Sequence, residues 1–460
     1  MQSPGAGLLS ALLCLSLAAG EEKPSPWDRY PLMKASKKAV FVHVMVSFTS
    51  KDFSGRWRGW NYSNSRVKHD PEKRNPDGRP DIASIYYPRI GTYDMTDPDY
   101  VEYHCQLVKM TGLDGMMFDL PFGSGEEWSW GRKSMRLYVE YMKRYGLEAV
   151  VIYEDKARWL WDRKTHTRQE AVAACYRDLD AWLALFAPVN YRIGERPLLA
   201  FFSYYNQKTP DKGTAALSPE ELKAWLSRFP PRRRPVLVCQ WYRPEYYGVH
   251  DGKYDWPELR GKPPAGSPYR IYTTFETVKA TRARGERLVE ERFRKGEERY
   301  HVGGVWPGFD DRGCWGWGDG PRFIPRLDGE VYRYLWERAI ACGYPVVQIA
   351  SWNDWFEGHN IEPSVEFGYQ YLEMTRQYAA RFKGLPAPRG ELRLAEWIYK
   401  IRKCTRSSSA LAAAQRASLY ILKGKYERAE RSLRTWVKRL RLDRVKYWTL
   451  NGPRPSRPAR

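Results

Sequence analysis

The chain has 460 residues, 43% of them hydrophobic and 15% aromatic, with 20 Trp and 32 Tyr, which is enough apolar side chain for a large core and excludes a disordered chain. Its net charge of +22 is uneven: residues 384–460 hold 20 Lys+Arg against 5 Asp+Glu, an excess of +15 that leaves +7 for everything before them. A basic surplus confined to one end argues against a nucleic-acid partner for the body and makes the C-terminal part the candidate contact for a polyanion.

The chain opens on an apolar run from Gly7 to Ala18 with small residues at Ala18, Ala19 and Gly20. This is the pattern of a signal peptide over residues 1–20, cleaved near Gly20, and predicts a secreted or periplasmic protein. No other apolar stretch approaches the roughly 20 residues of a membrane-spanning helix, so no integral membrane segment is expected. Beyond the leader stand Cys105, Cys175, Cys239, Cys314, Cys342 and Cys404. Some of these could pair in an oxidising compartment, but most lie in helix-like or strand-like patterns that favour buried free thiols. There is no C-x-x-C or H-E-x-x-H, so neither a metal nor a cofactor is expected.

The segment Ala39 to Phe48 is a β-branched and aromatic run suited to a buried parallel strand. A long polar stretch, Lys51 to Arg89, follows; loops of that length in compact domains are usually functional. The chain then alternates. Helices are predicted from Asp97-Pro98 to Met110, near Lys133–Tyr145, over Arg168–Phe186, from Ser218 to Ser227, near Arg287–Lys295, over Gly329–Cys342 and over Tyr369–Phe382. Between them lie strands at Gly115–Pro121, Glu148–Asp155, Pro197–Tyr205, Pro235–Trp241, His301–Gly308 and Tyr344–Trp352, with weaker ones at Lys253–Trp256 and Thr273–Phe275. About eight strands separated by helices read as a (β/α)8 TIM barrel over residues 38–383. No G-x-G-x-x-G follows the first strand, which removes the dinucleotide-binding alternative. Residues 384–448 read as a basic extension of three helices that should pack on the barrel, and 449–460 as a disordered tail.

In such barrels chemistry collects where strands end. The residues there are Asp119, Tyr153, Glu154, Tyr204, Trp241, Tyr242, Trp306, Asp310 and, after the last strand, Trp352, Asn353, Asp354, Trp355, Glu357, His359 and Glu362. Carboxylates among Trp and Tyr suit a sugar, whose C–H faces stack on rings while its hydroxyls need acceptors. Asp354 and Glu357 are three residues apart, so one helical turn would bring both carboxyls to a single reacting centre. Glycoside hydrolysis needs such a pair, one as acid and one as base or nucleophile. Packing Glu357 among Trp352, Trp355 and Phe356 would raise its pKa toward the acid role. Plainer readings stand beside these. Asp354 could cap a helix, Glu154 and Asp155 could be a solvated strand end, and Asp310-Asp311 could be a turn, a calcium loop or a substrate contact. His43 could be a hydrogen-bonded barrel residue, and the segment Gly313 to Gly320 either a mobile aromatic lid or a packed loop.

The run SWNDWFEGHNIEP (Ser351 to Pro363) resembles the signature of the clan uniting glycoside hydrolase families 99 and 71, endo-α-mannosidases and α-1,3-glucanases. GLEAVVIYEDK resembles the family 99 strand that ends in a substrate-binding glutamate, here Glu154. DGKYDWP (Asp251 to Pro257) and GVWPGFDDR (Gly304 to Arg312) resemble further segments of that family, and together the matches span residues 38–382. The resemblance implies an endo-acting α-glycosidase on an oligosaccharide or polysaccharide, with Glu357 as acid/base. It places at Asp354 the residue that is a glutamate in family 99, where it deprotonates a sugar 2-hydroxyl and gives retention. Aspartate, as in family 71, withdraws the carboxylate by roughly one bond, about 1.5 Å, and leaves the stereochemical outcome open. The departure also leaves open a carbohydrate-binding barrel without catalysis.

Overall fold

The computed structural model describes residues 25–121, 128–155, 167–203 and 215–442. The expected signal peptide, Tyr204 and the expected disordered tail all lie outside these.

Eight strands form the body: β1 (Ala39–Met45), β2 (Gly115–Leu120), β3 (Glu148–Tyr153), β4 (Arg196–Phe201), β5 (Val236–Cys239), β6 (Gly252–Tyr254), β7 (Tyr300–Val305) and β8 (Val346–Ile349). Each pairs in parallel with the next. Pairing of β8 with β1, Ala39 opposite Val346, closes the ring. The result is the (β/α)8 barrel the sequence implied. The near-continuous apolar runs follow from burial on both faces, by the barrel interior on one side and by helices on the other.

Among the described residues the outside is covered by helices α1 (Pro98–Met110), α2 (Ser129–Tyr145), α3 (Arg168–Phe186), α4 (Pro219–Leu226), α5 (Phe275–Lys295), α6 (Glu330–Cys342) and α7 (Gln370–Lys383). A single 3-10 turn, Pro244–Tyr246, joins β5 to β6. The expected strand at Thr273–Phe275 is absent: Thr274 accepts a hydrogen bond from the Thr277 amide and caps α5, which begins at Phe275. The chain just before it pairs elsewhere. Ile271–Tyr272 joins Phe309–Asp310 and Arg322–Ile324 in a small three-stranded sheet.

Past Gly384 come α8 (Arg393–Cys404), α9 (Ser408–Leu422) and α10 (Tyr426–Arg439). They share one apolar core with the barrel helices through residues such as Leu394, Ile398, Ala414 and Leu433. Ion pairs pin them: Arg402 to Glu102 at 2.6 Å, Lys403 to Asp97 at 2.5 Å and Asp99 at 2.7 Å, and Arg89 to Glu396 at 3.0 Å. Part of the basic surplus is thereby neutralised; on α10 Arg428 and Lys438 are exposed, as are Arg431 and Arg434, which pair along the helix with Glu427 and Glu430. The six cysteines named above are free thiols, with Cys105, Cys175, Cys239 and Cys314 buried. Among the described residues no helix is long and apolar enough to cross a membrane.

Candidate active site

Side chains alternate along a strand, and this alternation builds the barrel floor. Phe41, Met117, Ile152, Ala200, Val238, Tyr254 and Val346 pack together inside the ring. Two residues further along each strand come His43, Asp119, Glu154, Phe202, Gln240, Trp256 and Gln348. The interior therefore changes from apolar to polar and aromatic toward the carboxyl ends of the strands. His43 Nε2 and Asp119 Oδ2 share a hydrogen bond of 3.2 Å, and the His43 ring lies 4.6 Å from that of Trp256. Burial pushes His43 down to about 3, so it is a neutral, hydrogen-bonded barrel residue. Burial pushes Asp119 up to about 7, against a hydrogen bond with Glu154 that lowers it.

The segment after β8 carries the acidic pair. The Asp354 amide donates to Ser351 Oγ at 2.9 Å, and the Glu357 amide donates to Asp354 Oδ1 at 3.0 Å. These bonds fold a tight turn rather than the start of a helix, since α7 begins only at Gln370. Gly358 holds the turn with φ +59, and a Cβ there would lie 2.5 Å from the Asp310 carbonyl, so only glycine fits. The Asp310 amide donates to the Glu357 carbonyl at 2.9 Å, and Arg326 Nη2 to the carbonyls of Gly358 and Asn360 at 3.0 and 2.9 Å. The turn is thus fixed from two sides.

Asp354, Glu357 and His359 each present a polar atom within 4.8 Å of the other two. His359 Nε2 is 3.1 Å from Asp354 Oδ2 and 3.4 Å from Glu357 Oε2. Glu357 Oε1 accepts from Arg322 Nη2 at 2.9 Å and from Trp317 Nε1 at 2.8 Å. Arg322 Nε in turn binds Asp311 Oδ2 at 2.6 Å. Burial alone would raise the Glu357 pKa; the Arg322 charge, His359 and the Trp317 donor outweigh it and hold the carboxyl below its usual range. Burial alone would lower His359, but Asp354 and Glu357 lift it to about 9. At neutral pH the His359 ring is an imidazolium facing the Asp354 and Glu357 side chains. The three donor atoms also have the spacing of a cation site, which a cation would occupy by displacing the His359 proton.

The expectation that Glu357 is raised toward an acid is therefore corrected. The aromatic residues meant to desolvate it face elsewhere: Trp352 stacks on His104 at 4.3 Å, and Trp355 Nε1 donates to Tyr93 Oη at 2.9 Å. Asn353 clamps β1 through the Met45 amide and carbonyl at 2.8 and 3.0 Å. Glu362 is buried beneath the turn, accepting from Tyr93 Oη at 2.9 Å, and burial pushes it up to about 8. Tyr153 points outward and donates to Asp178 at 3.2 Å, while Tyr242 donates to the carbonyl of Glu297. Asp310 is held by Arg312 at 2.7 Å and Tyr269 at 2.9 Å. Trp306 is buried, and Trp241 is 57% exposed at the end of β5.

Residues missed in the sequence complete the site. Trp256 sits edge-on 5.3 Å from His359 and 5.4 Å from Phe202, and Phe309 stacks on His359 at 5.3 Å. Trp317, 43% exposed, belongs to a packed loop: Asn64 Nδ2 donates to the Cys314 carbonyl at 2.8 Å and His69 binds that of Gly313 at 2.8 Å. Beside it opens a cleft of about 450 Å³ lined by Trp57, Arg58, Asn61, Tyr62, Trp317 and Phe356. The long loop after β1 thus forms one wall, as its length suggested.

Fold and site together define a closed parallel barrel with an acidic pair after the last strand, resembling the glycoside hydrolase family 99 endo-α-mannosidases. No family model matches the chain. It is 21% identical over 369 residues to the glycoprotein endo-alpha-1,2-mannosidase of Rattus norvegicus, covering 74% of this chain and 75% of that one. The structure is similar to that of the family 99 endo-alpha-mannosidase of Bacteroides thetaiotaomicron, with a TM-score of 0.55 and 17% identity over 75% of this chain and 98% of that chain. A glycoside hydrolase-like protein gives a TM-score of 0.51 and 14% identity over 75% and 94%. These likenesses show the barrel fold.

Proposed function

We propose that the chain is a secreted, endo-acting α-glycosidase that cleaves internal α-mannosidic bonds of an oligosaccharide or polysaccharide. The observation that carries this reading is the convergence of Asp354 and Glu357, with oxygens within 4.8 Å of each other, beside an aromatic cleft. The spacing falls short of the roughly 6.5–9.5 Å that inverting enzymes use and supports retention. The proton for the leaving oxygen is already at hand on His359, 3.4 Å from Glu357 Oε2. A sugar entering the site displaces Arg322; Glu357, protonated from His359, gives its proton to the leaving oxygen while Asp354 takes the proton of the sugar 2-hydroxyl, whose oxygen closes on the anomeric carbon as the glycosidic bond breaks. Water then opens that three-membered ring at the anomeric carbon, losing its proton to Glu357 and hence His359, and Asp354 returns its proton to the 2-oxygen. The test is a screen of α-mannans and α-1,3-glucans with proton NMR of the first anomer released. Cleavage of mannan with retention is expected; glucan-only cleavage would reassign the substrate, and no new reducing ends would remove the enzyme.

A second reading, a carbohydrate-binding barrel without catalysis, is favoured by one observation. Glu357 is fully engaged by Arg322, Trp317 and His359, and the partner carboxylate is an aspartate. Binding across the same panel without hydrolysis identifies this case. In either reading the exposed cations of α10 are the part of the basic extension available to a polyanion.

A further inference from the structure

Arg58 stands apart from the other arginines around the barrel mouth. Arg322 is tied to Asp311 and Glu357, Arg312 to Asp310, and Arg326 to backbone carbonyls. Among the described residues the Arg58 guanidinium has no carboxylate partner; it lies over the Trp130 ring at 5.0 Å and lines the cleft. Burial and the neighbouring Arg56 charge both disfavour its cation.

Its position is built rather than accidental. The Arg58 amide donates to the Thr49 carbonyl at 3.3 Å and its own carbonyl accepts from Thr49 at 3.2 Å, a bridge that fastens the loop to the end of β1. Next to it Gly59 has φ +70, and a Cβ there would meet the Ser47 carbonyl and the Phe48 ring at 2.7 Å. Trp60 anchors the other side, buried and donating Nε1–H to the Tyr93 carbonyl at 2.9 Å. The loop backbone presses onto the barrel as closely as glycine permits, which fixes Arg58 in the cleft wall with its guanidinium over Trp130.

From Arg58 the wall runs without a break to the acidic pair. Tyr62 contacts Phe356 and Trp317 at 5.8 and 5.1 Å, and Trp317 donates to Glu357. At about 450 Å³ the cleft is in the range of small-ligand sites, roughly 300–1,000 Å³. Aromatic faces suit sugar rings, and a planar guanidinium suits an oxyanion, which it binds through two parallel N–H donors.

We infer that this cleft, if it is the glycan site proposed above, selects a glycan bearing an anionic substituent, with Arg58 binding the oxyanion of a sulfate, phosphate or uronate group on a sugar held by Tyr62 and Trp317. Neutral mannosides fill the aromatic wall but leave the guanidinium without a counter-charge. The preference is electrostatic and weakens as salt screens it.

Calorimetry on the full-length chain tests this, with Glu357→Gln present throughout to prevent turnover. The probes are an α-linked mannotriose and the same trisaccharide carrying a 6-sulfate, a 6-phosphate or a terminal glucuronate. At least one charged probe binds tenfold or more tightly than the neutral one, and which of the three does so identifies the substituent. Adding Arg58→Gln reduces that ratio at least tenfold, Arg58→Lys restores part of it, and melting curves confirm that each variant folds. Equal affinity for charged and neutral probes would overturn the inference and leave the glycosidase reading standing. A preference that survives Arg58→Gln would overturn the role given to Arg58. Failure of every probe to bind would remove the glycan site itself and the inference with it.

Discussion

Arg322 and Glu357 are joined by an ion pair of 2.9 Å, and the same guanidinium is fixed by Asp311 at 2.6 Å. Arg322 comes from the small sheet, 35 positions before its partner, so the sheet acts beside His359 in holding the acid ionised. A carboxyl held below its usual range loses its ion pair only as pH falls through that lowered value. Replacing Arg322 by Gln therefore moves the Glu357 titration upward. The acid limb of the kcat/KM profile is expected to shift to higher pH by a unit or so, about 1.4 kcal/mol of lost charge stabilisation. An unshifted limb would show that the pair is not maintained in solution.

His359 gives the opposite sign. Its pKa rises from 6.5 to about 9 in the folded chain, so its contribution to stability is complete below pH 6.5 and disappears as pH climbs through 9. The contribution is of the order of 3 kcal/mol. Denaturant melts between pH 6.5 and 9 should show stability falling in the parent chain and nearly flat in His359→Gln. Parallel curves would mean that the ring is neutral.

Gly358 makes the turn possible. Gly358→Ala introduces a Cβ at 2.5 Å from the Asp310 carbonyl at a positive φ, which should cost about 2 kcal/mol or more. Because Glu357 is the preceding residue, turnover should fall even at temperatures where the variant is fully folded. Thermal melts and assays on the same preparation separate the two effects, and a loss of stability with full activity would show that the turn can shift without moving the carboxylate.

The helical extension is tied to the barrel by charge as well as by apolar contact. Arg402→Met removes the partner of Glu102 and weakens that of Asp99, and should cost roughly 2–4 kcal/mol, since both sites are nearly buried. Arg431, exposed and 4.0 Å from Glu427, should tolerate the same change within about 0.5 kcal/mol. Urea unfolding of the two variants makes the comparison; equal, small effects would mean that α8 is held by apolar packing alone.

Much of the barrel was legible because apolar runs and caps are local signals. The capping box at Ser218 with Glu221 marks α4 at the residue where the helix starts. Thr273–Phe275 misled because its β-branched residues serve as a helix cap. At the site, what was missing was the parity of each strand. Tyr153 and Glu154 are adjacent, yet Phe41, Met117 and Ile152 facing inward put Glu154 at the mouth and Tyr153 against α3. The same parity would have picked out Phe202, Gln240, Trp256 and Gln348. Neither parity nor composition could place Arg322 and Trp317 on Glu357, because those contacts depend on how a distant loop folds back over the barrel. Sequence neighbours such as Trp355 were a poor guide to environment, since a tight turn sends successive side chains to opposite sides.

In the proposed reaction Asp354 and Glu357 act on one bond. The most direct measurement is the single-turnover rate on an activated α-mannoside for the parent chain, Glu357→Gln, Asp354→Asn and the double variant. Each single change should slow the reaction by about 100-fold or more, and the double variant should be little slower than either, because the two groups work as a unit. Turnover unchanged in Glu357→Gln or in Asp354→Asn would contradict the account.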